Sequence, residues 1–243
     1  MNPFAASLAA AILVLAGCST RPVDPKADSL RRSGLTNIEA LRSTLFRASA
    51  AIVAGQQVIG FTVDHGADQT MAGHVAVANP GSPYATGCAS AIGAGRYLTA
   101  AHVVDTTPIT VLRLDGRGQP HAMPATVIWS DPARDLAIVT APGCPDEPSL
   151  IVAGGPPRVG DLVVVHGCWG SLSAGTVVDV EVERGRFLCA APTDEGDSGG
   201  AIVNRQGLLV GVISGGARRN GVDYTKGALV GIDDTGRTTA SSP

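Results

Sequence analysis

Three segments of this chain carry side chains that could act together on a carbonyl group. Glu195-Gly196-Asp197-Ser198-Gly199-Gly200 sets a hydroxyl among glycines. A serine hydroxyl is a poor nucleophile until a neighbouring base takes its proton. The reaction also needs two amide N–H groups aimed at the oxyanion that develops. Gly196 permits a sharp turn with backbone angles that other residues avoid, so that the N–H groups of Gly196 and Ser198 could point to one spot. Gly199 and Gly200 leave room for a substrate and for close strand packing. His102 ends the stretch Thr99-Ala-Ala-His102, just after a short apolar strand pattern, and Asp135 opens Asp135-Leu-Ala-Ile-Val139. A base must reach the hydroxyl with one ring nitrogen while a buried carboxylate holds the other ring N–H. His102, Asp135 and Ser198 supply those three parts. Asp131 and Asp105 are the rival carboxylates. Asp131 precedes Pro132 and reads as a turn residue, and Asp105 lies so near His102 in sequence that a loop would have to fold back on it.

These groups need a scaffold that brings distant segments together. From Ala51 onward, short apolar runs alternate with turn residues such as Asn79-Pro80-Gly81 and Asp115-Gly116. The first series runs through Val58–Phe61, His74–Ala78, Ala89–Ile92, Tyr97–Thr99, Ile109–Leu114, Ala125–Trp129 and Leu136–Thr140. The second runs through Leu162–His166, Gly175–Val182, Phe187–Ala190, Ala201–Asn204, Leu208–Ser214 and Gly227–Ile232. Regular short strands of this kind predict an all-β sandwich or barrel. The Pro- and Gly-rich stretch Pro142–Pro157 reads as the connection between two halves. The 243 residues suffice for a sizeable core, and 31 glycines with few aromatic residues suit many short strands. A net charge of −3 without a basic block argues against nucleic acid as a partner.

The N-terminal part reads differently. Ala5–Ala16 is apolar but too short for a membrane span. It ends in Leu15-Ala16-Gly17-Cys18, which resembles a bacterial lipobox, although Met1-Asn-Pro-Phe4 has no Lys or Arg. Residues 1–17 are therefore read as a signal peptide and Cys18 as a lipidated cysteine. The resulting expectation is a cell-envelope protein anchored by lipid, on the periplasmic side of the outer membrane in a Gram-negative host because Ser19 follows. The alternative is a secreted or periplasmic soluble protein. Residues 18–28 read as a tether. Residues 29–50 carry Leu30, Ile38, Leu41 and Leu45 at helical spacing, with Thr36 or Asn37 as N-cap, and predict a short helix that packs on the domain. Residues 233–243 read as a frayed tail. Cys88, Cys144, Cys168 and Cys189 suggest two disulfides in an oxidising compartment. Of the possible pairings Cys168 with Cys189 is favoured, because both lie in the second half. His65, His74, His121 and His166 read as surface or core residues, and neither a metal site nor a cofactor is expected.

Together, Leu-Thr-Ala-Ala-His102-Val-Val, Asp135-Leu-Ala-Ile-Val and Gly196-Asp-Ser-Gly-Gly-Ala-Ile-Val-Asn204 resemble the trypsin-like (chymotrypsin-fold) serine peptidases, and especially the bacterial HtrA/Deg-type branch. The resemblance extends over residues 51–232 and includes Gly160–Gly167 and Ser173–Val180. It implies two packed six-stranded antiparallel β-barrels, about 51–141 and 158–232, with the site in the cleft between them. It implies His102 as general base, Asp135 as its orienting carboxylate and Ser198 as nucleophile. Gly196 and Ser198 would form the oxyanion hole, and Asp197 would shape that loop. The implied activity is a serine endopeptidase acting on polypeptides through an acyl-enzyme, without cofactor. A catalytically silent peptide-binding lipoprotein on the same scaffold is the alternative. No PDZ-like region follows the peptidase segment, so cage assembly is not carried over, and the oligomeric state stays open. Ile52-Val53-Ala54-Gly55 fits poorly to the activating N-terminus of trypsin zymogens, since Ala51 precedes it. At the position that lines the primary pocket stands Pro192, and Ser214-Gly215-Gly216 resembles the edge that pairs with substrate backbone. Ile213 replaces the histidine of glutamate-specific relatives. A small or aliphatic side chain at the cleaved position is expected.

Overall fold

The computed structural model describes residues 12–16, 25–65, 71–115, 117–142, 148–168, 171–219 and 221–231. Cys18, Cys144, the tail from Asp233 and the first part of the expected leader lie outside the described residues.

Strand follows strand because apolar side chains recur with a period of two and β-branched residues fill the pleat. β1 (Ile12–Ala16) lies within the expected leader and pairs with β4 (Met71–Val77), which pairs with β3 (Val58–His65). This three-stranded sheet shares no strand pairing with the barrels but packs on the first one, Val75 and Val77 against Ala51, Val53 and Leu112, so the runs expected at 58–61 and 74–78 are not staves of that barrel. The first barrel uses β2 (Ser49–Ala54), β5 (Ala85–Gly93), β6 (Arg96–Thr99), β7 (Ile109–Leu114), β8 (Pro120–Asp131) and β9 (Leu136–Thr140), closed in the order β2-β5-β6-β9-β8-β7. The second uses β10 (Leu162–His166), β11 (Leu172–Glu181), β12 (Arg186–Cys189), β13 (Ala201–Asn204), β14 (Leu209–Arg219) and β15 (Val222–Leu229), closed as β10-β11-β12-β15-β14-β13. Two closed six-stranded antiparallel barrels are the expected architecture.

Alternation decides what packs where. In β10, Val163 and Val165 point into the second barrel with Phe187, Ile202 and Leu229. Val164, between them, faces the other way and joins Ala201, Val203 and Val212 in a cluster that continues into the first barrel through Ala89, Tyr97 and Leu98. One hydrophobic layer therefore spans the seam between the barrels. The connecting stretch laces both sides: Leu150 N–H donates to Ala91 O in β5 at 2.8 Å, and Ala153 N–H donates to Leu209 O at 2.8 Å.

The N-terminal segment forms two helices rather than one. α1 (Pro25–Arg32) begins inside the stretch read as a tether, and α2 (Ile38–Ala48) follows. Pro25 suits a first helical position, where its missing N–H costs nothing. Asp28 pairs with Arg32 at 2.6 Å one turn on. α2 buries Leu41, Leu45 and Ala48 on one face, as their spacing predicts. Asn37 is its N-cap, without a side-chain hydrogen bond.

His166, at the end of β10, is buried, and among the described residues its Nε2 has no hydrogen-bond partner. Burial first, then the charges of Arg42 and Lys26, push the imidazole from 6.5 down to about 3. The unfolded chain then binds a proton here that the folded chain refuses. Stability from this group is complete above pH 6.5 and declines as pH falls from 6.5 towards 3. The expected contribution is about 1.4 kcal/mol per pH unit. Urea unfolding at pH 7, 6 and 5 should show a steeper loss in wild type than in His166→Leu; equal slopes would refute this reading.

Candidate active site

His102 sits on a single 3-10 turn, Ala101–Val103, that follows β6. Ala101 and Val103 are buried and anchor the turn, while the His102 ring is half-exposed. Asp135 immediately precedes β9, with its backbone at φ 58°, a left-handed conformation uncommon outside glycine. Such outliers gather where a side chain must be aimed. The Asp135 carboxylate takes both groups that His102 offers it: the backbone N–H at 3.0 Å to Oδ1, and ring Nδ1 at 2.9 Å from each oxygen. Ser214 Oγ donates to Asp135 Oδ2 at 2.6 Å from the second barrel. With Nδ1 facing a carboxylate, Nδ1 carries the proton and Nε2 is left as acceptor.

The rivals are otherwise engaged. Asp131 accepts the backbone N–H groups of Ala133 and Arg134 and the Arg134 Nε at 2.6 Å, capping its own turn. Burial pushes its carboxyl upward, but the Arg134 bonds outweigh that and hold it below the usual range. Asp105 is exposed. His74 pairs with Asp64 and His121 with Asp115, both far from the site in role. Among the described residues no group of three or more His, Cys, Asp and Glu side chains could hold a metal ion.

Ser198 stands in the loop before β13, pinned by backbone bonds. Its carbonyl accepts Cys88 N–H from β5 at 2.7 Å, across the barrel seam, and Gly199 N–H donates to Ile213 O at 2.7 Å. Gly196 takes φ 92°, as the sharp turn requires. Among the described residues, neither Gly196 N–H nor Ser198 N–H is spent on another acceptor. Asp197, between them, is buried, and its Oδ2 accepts Asp194 N–H at 2.9 Å. It also meets Lys26 Nζ at 2.7 Å, from a segment the sequence reading treated as tether. A lysine in a polar stretch normally signals a solvated surface, so nothing in its type or neighbours marked Lys26.

Around the expected primary pocket, Ser173 Oγ donates to Pro192 O at 2.7 Å, and Thr225 Oγ1 donates to Ala191 O at 2.9 Å and lies 3.4 Å from Thr193 Oγ1. Ser214, Gly215 and Gly216 lie on β14, where the pairing with β15 shifts register between Ile213 and Gly215. That irregularity accompanies the turn of the Ser214 hydroxyl towards Asp135, so Ser214 serves the His102–Asp135 pair as well as the strand edge. Ile52 and Val53, weighed as a zymogen-type terminus, lie fully buried in the middle of β2, paired on both sides.

The favoured disulfide is corrected. Cys88 bonds Cys168, joining the two barrels, and Cys189 is a free, buried thiol. β12 turns Cys189 into the second barrel beside Phe187, whereas Cys168 lies beyond β10 with its sulfur 3.3 Å from Gly87 O in the first barrel. Burial pushes the Cys189 thiol up to about 12. The Cys88 sulfur lies 3.1 Å from Gly196 O, beside the Ser198 loop.

Comparison with known proteins bears on the family and the fold. The family model for the trypsin-like peptidase domain matches residues 85–212. Two curated relatives, the serine proteases MT3772 and Rv3671c of Mycobacterium tuberculosis, are each 32% identical over 157 residues, or 56% of this chain. The chain spans only 38% of their length. The crystal structure of the active form of the Rv3671c protease from M. tuberculosis is similar over 100% of this chain and 96% of that one, with TM-score 0.59 and 20% identity. That of its inactive form is similar over 80% and 90%, with TM-score 0.51 and 21% identity.

Close approach at Gly199 makes the Ser198 loop intolerant of added volume. A Cβ there would lie 2.0 Å from the Cys88 carbonyl oxygen, and the residue holds φ 88°. Gly199→Ala is expected to cost at least about 2 kcal/mol from overpacking and backbone strain. A denaturant midpoint unchanged from wild type would show that the seam is looser than these distances imply.

Proposed function

Because the chain belongs to the trypsin-like peptidase family, we propose that it is a serine endopeptidase that cleaves polypeptides through an acyl-enzyme on Ser198. The observation that carries the proposal is the His102–Asp135 contact, both carboxylate oxygens at 2.9 Å from Nδ1, reinforced by Ser214. Asp135 fixes the tautomer that leaves Nε2 basic and stabilises the imidazolium once it forms. Ser198 Oγ attacks the scissile carbonyl carbon as Nε2 takes its proton. The oxyanion is received by the unspent N–H groups of Gly196 and Ser198. The imidazolium returns the proton to the leaving amine, and the acyl-enzyme remains. Water then attacks the acyl carbon as His102 takes its proton, and the imidazolium returns that proton to Ser198 Oγ as the ester bond breaks, releasing the product with a free carboxyl end. The reaction as drawn uses only side chains, backbone amides and water.

The substrate enters as an extended strand against Ser214-Gly215-Gly216. Its primary side chain meets Pro192, Thr193 and the buried Thr225, a set without charge. This supports a preference for small or aliphatic residues over Lys, Arg or Glu. The Cys88–Cys168 disulfide suits an oxidising compartment. With the lipobox at Cys18, it supports a lipid-anchored envelope protease. Among the described residues no helix is long and apolar enough to cross a membrane.

Wild type should label with a fluorophosphonate and hydrolyse unfolded protein, and Ser198→Ala should lose several orders of magnitude of rate. Peptide binding without turnover or labelling in wild type would instead favour a silent peptide-binding lipoprotein. A peptide-library profile should show small or aliphatic residues before the cleaved bond; dominance of Arg, Lys or Glu there would overturn the specificity assignment.

A further inference from the structure

α1 does more than fill a groove on the second barrel. Its Ser29 Oγ accepts Ala174 N–H from β11 at 3.0 Å, and donates to Lys26 O at 2.6 Å. These bonds fix the helix against β11 and hold the Lys26 backbone. The Lys26 side chain is buried, with relative exposure of 10%, against 9% for Asp197. Its Nζ reaches Asp197 Oδ2 at 2.7 Å and Asp194 Oδ2 at 3.3 Å, and also donates to Ser171 Oγ. Ser171 Oγ lies 3.4 Å from the same Asp197 oxygen.

Asp197 is the residue between the two amides assigned to the oxyanion. A buried carboxylate is stable only when paired and hydrogen-bonded. Without the ammonium the carboxylate is left buried beside no cation, and turning out to water becomes the favourable course. A swing at Asp197 rotates the Gly196–Asp197 and Asp197–Ser198 peptides, which turns the Ser198 N–H directly and displaces Gly196, the residue that carries the other assigned N–H, through their shared backbone. On the far side, the Asp197 carboxylate is packed on the Gly167 backbone so closely that a Cβ at Gly167 would lie 1.8 Å from Oδ1. The carboxylate therefore has one seat, and Lys26 neutralises it there.

We propose that Lys26 is a positioning residue for catalysis: the N-terminal helix supplies, from within the uncut chain, the cation that holds Asp197 inward and so keeps the oxyanion-binding loop formed. This inference rests on the serine-peptidase reading. It makes α1 an integral part of the active-site apparatus, and formation of the site dependent on the docking of a segment far from Ser198 in sequence.

The test compares full-length wild type, Lys26→Met and Ser29→Ala by peptide hydrolysis, fluorophosphonate labelling, thermal midpoint and inhibition by a peptide boronic acid, which needs the oxyanion site, against a product peptide, which does not. Lys26→Met should lose about 100-fold in kcat, the scale of a lost oxyanion donor, with KM and product-peptide binding unchanged and boronic-acid affinity reduced. Propylammonium added to Lys26→Ala should restore rate in a saturable manner. Ser29→Ala, which loosens the helix but keeps the cation, should lose kcat only in step with its midpoint. A folded Lys26→Met with wild-type kcat overturns the proposal, as does a loss that merely tracks stability in all variants. If Lys26→Met does not fold, Lys26→Met/Asp197→Asn leaves no stranded charge. That double variant should fold and label slowly, and wild-type labelling by it would equally refute the role. An inactive wild type would sink the peptidase reading itself, which keeps the two failures distinct.

Discussion

A single backbone hydrogen bond, Cys88 N–H to Ser198 O at 2.7 Å, sits where the two barrels meet, and the geometry of the site depends on that seam. Each barrel closes on its own hydrogen bonds, so nothing within either one fixes its position relative to the other. His102 and Asp135 belong to the first barrel and Ser198 to the second. Hydrogen-bond chemistry between them tolerates errors of only about half an ångström. The seam itself is tight, with main-chain contacts that leave no room for side chains. Gly199 fits under the Cys88 carbonyl, and Gly87 faces the Ser198 carbonyl, where a Cβ would come within 2.7 Å. The Cys88–Cys168 bridge and the shared layer of Val164, Val203 and Tyr97 reinforce the same boundary.

Around that seam the polar groups form a chain of dependence. Ser214 crosses from the second barrel to hold Asp135, and Asp135 holds both the ring and the backbone of His102. On the other flank, Asp197 turns inward to a cation from α1 and to the Asp194 N–H. Both carboxylates are held by several hydrogen bonds to their neighbours. The contrast between them is in solvent access: Asp135 is partly exposed, whereas Asp197 is enclosed beside the Lys26 ammonium.

Much of this was legible in the sequence because the signals were local. Period-two runs gave the strands, the Pro-rich stretch gave the linker, and the glycines around Ser198 marked a turn with little space. The Leu41/Leu45 spacing similarly marked α2. What escaped depended on partners far apart in the chain. Lys26 and Asp197 are separated by 171 residues, and a lysine beside Pro25 carries no local mark of burial. The disulfide misled for a related reason. Proximity in sequence favoured Cys168 with Cys189, but strand alternation points Cys189 into the barrel, and Cys168 lies past the strand end at the seam. The hairpin of β3 and β4 shows a further limit: its alternation is that of a barrel strand, yet its hydrogen-bond neighbours place it in a separate sheet.

The separate sheet would be altered if the leader-like stretch were removed. β4 lies between β3 and β1, and β1 falls in the stretch that resembles an export leader. Processing ahead of Cys18 would strip that outer ribbon away. β4 would then present a row of unpaired peptide groups, the kind of open border that invites another strand to add. Whether β4 is a covered inner strand or an open edge would thus turn on a segment at the very start of the chain.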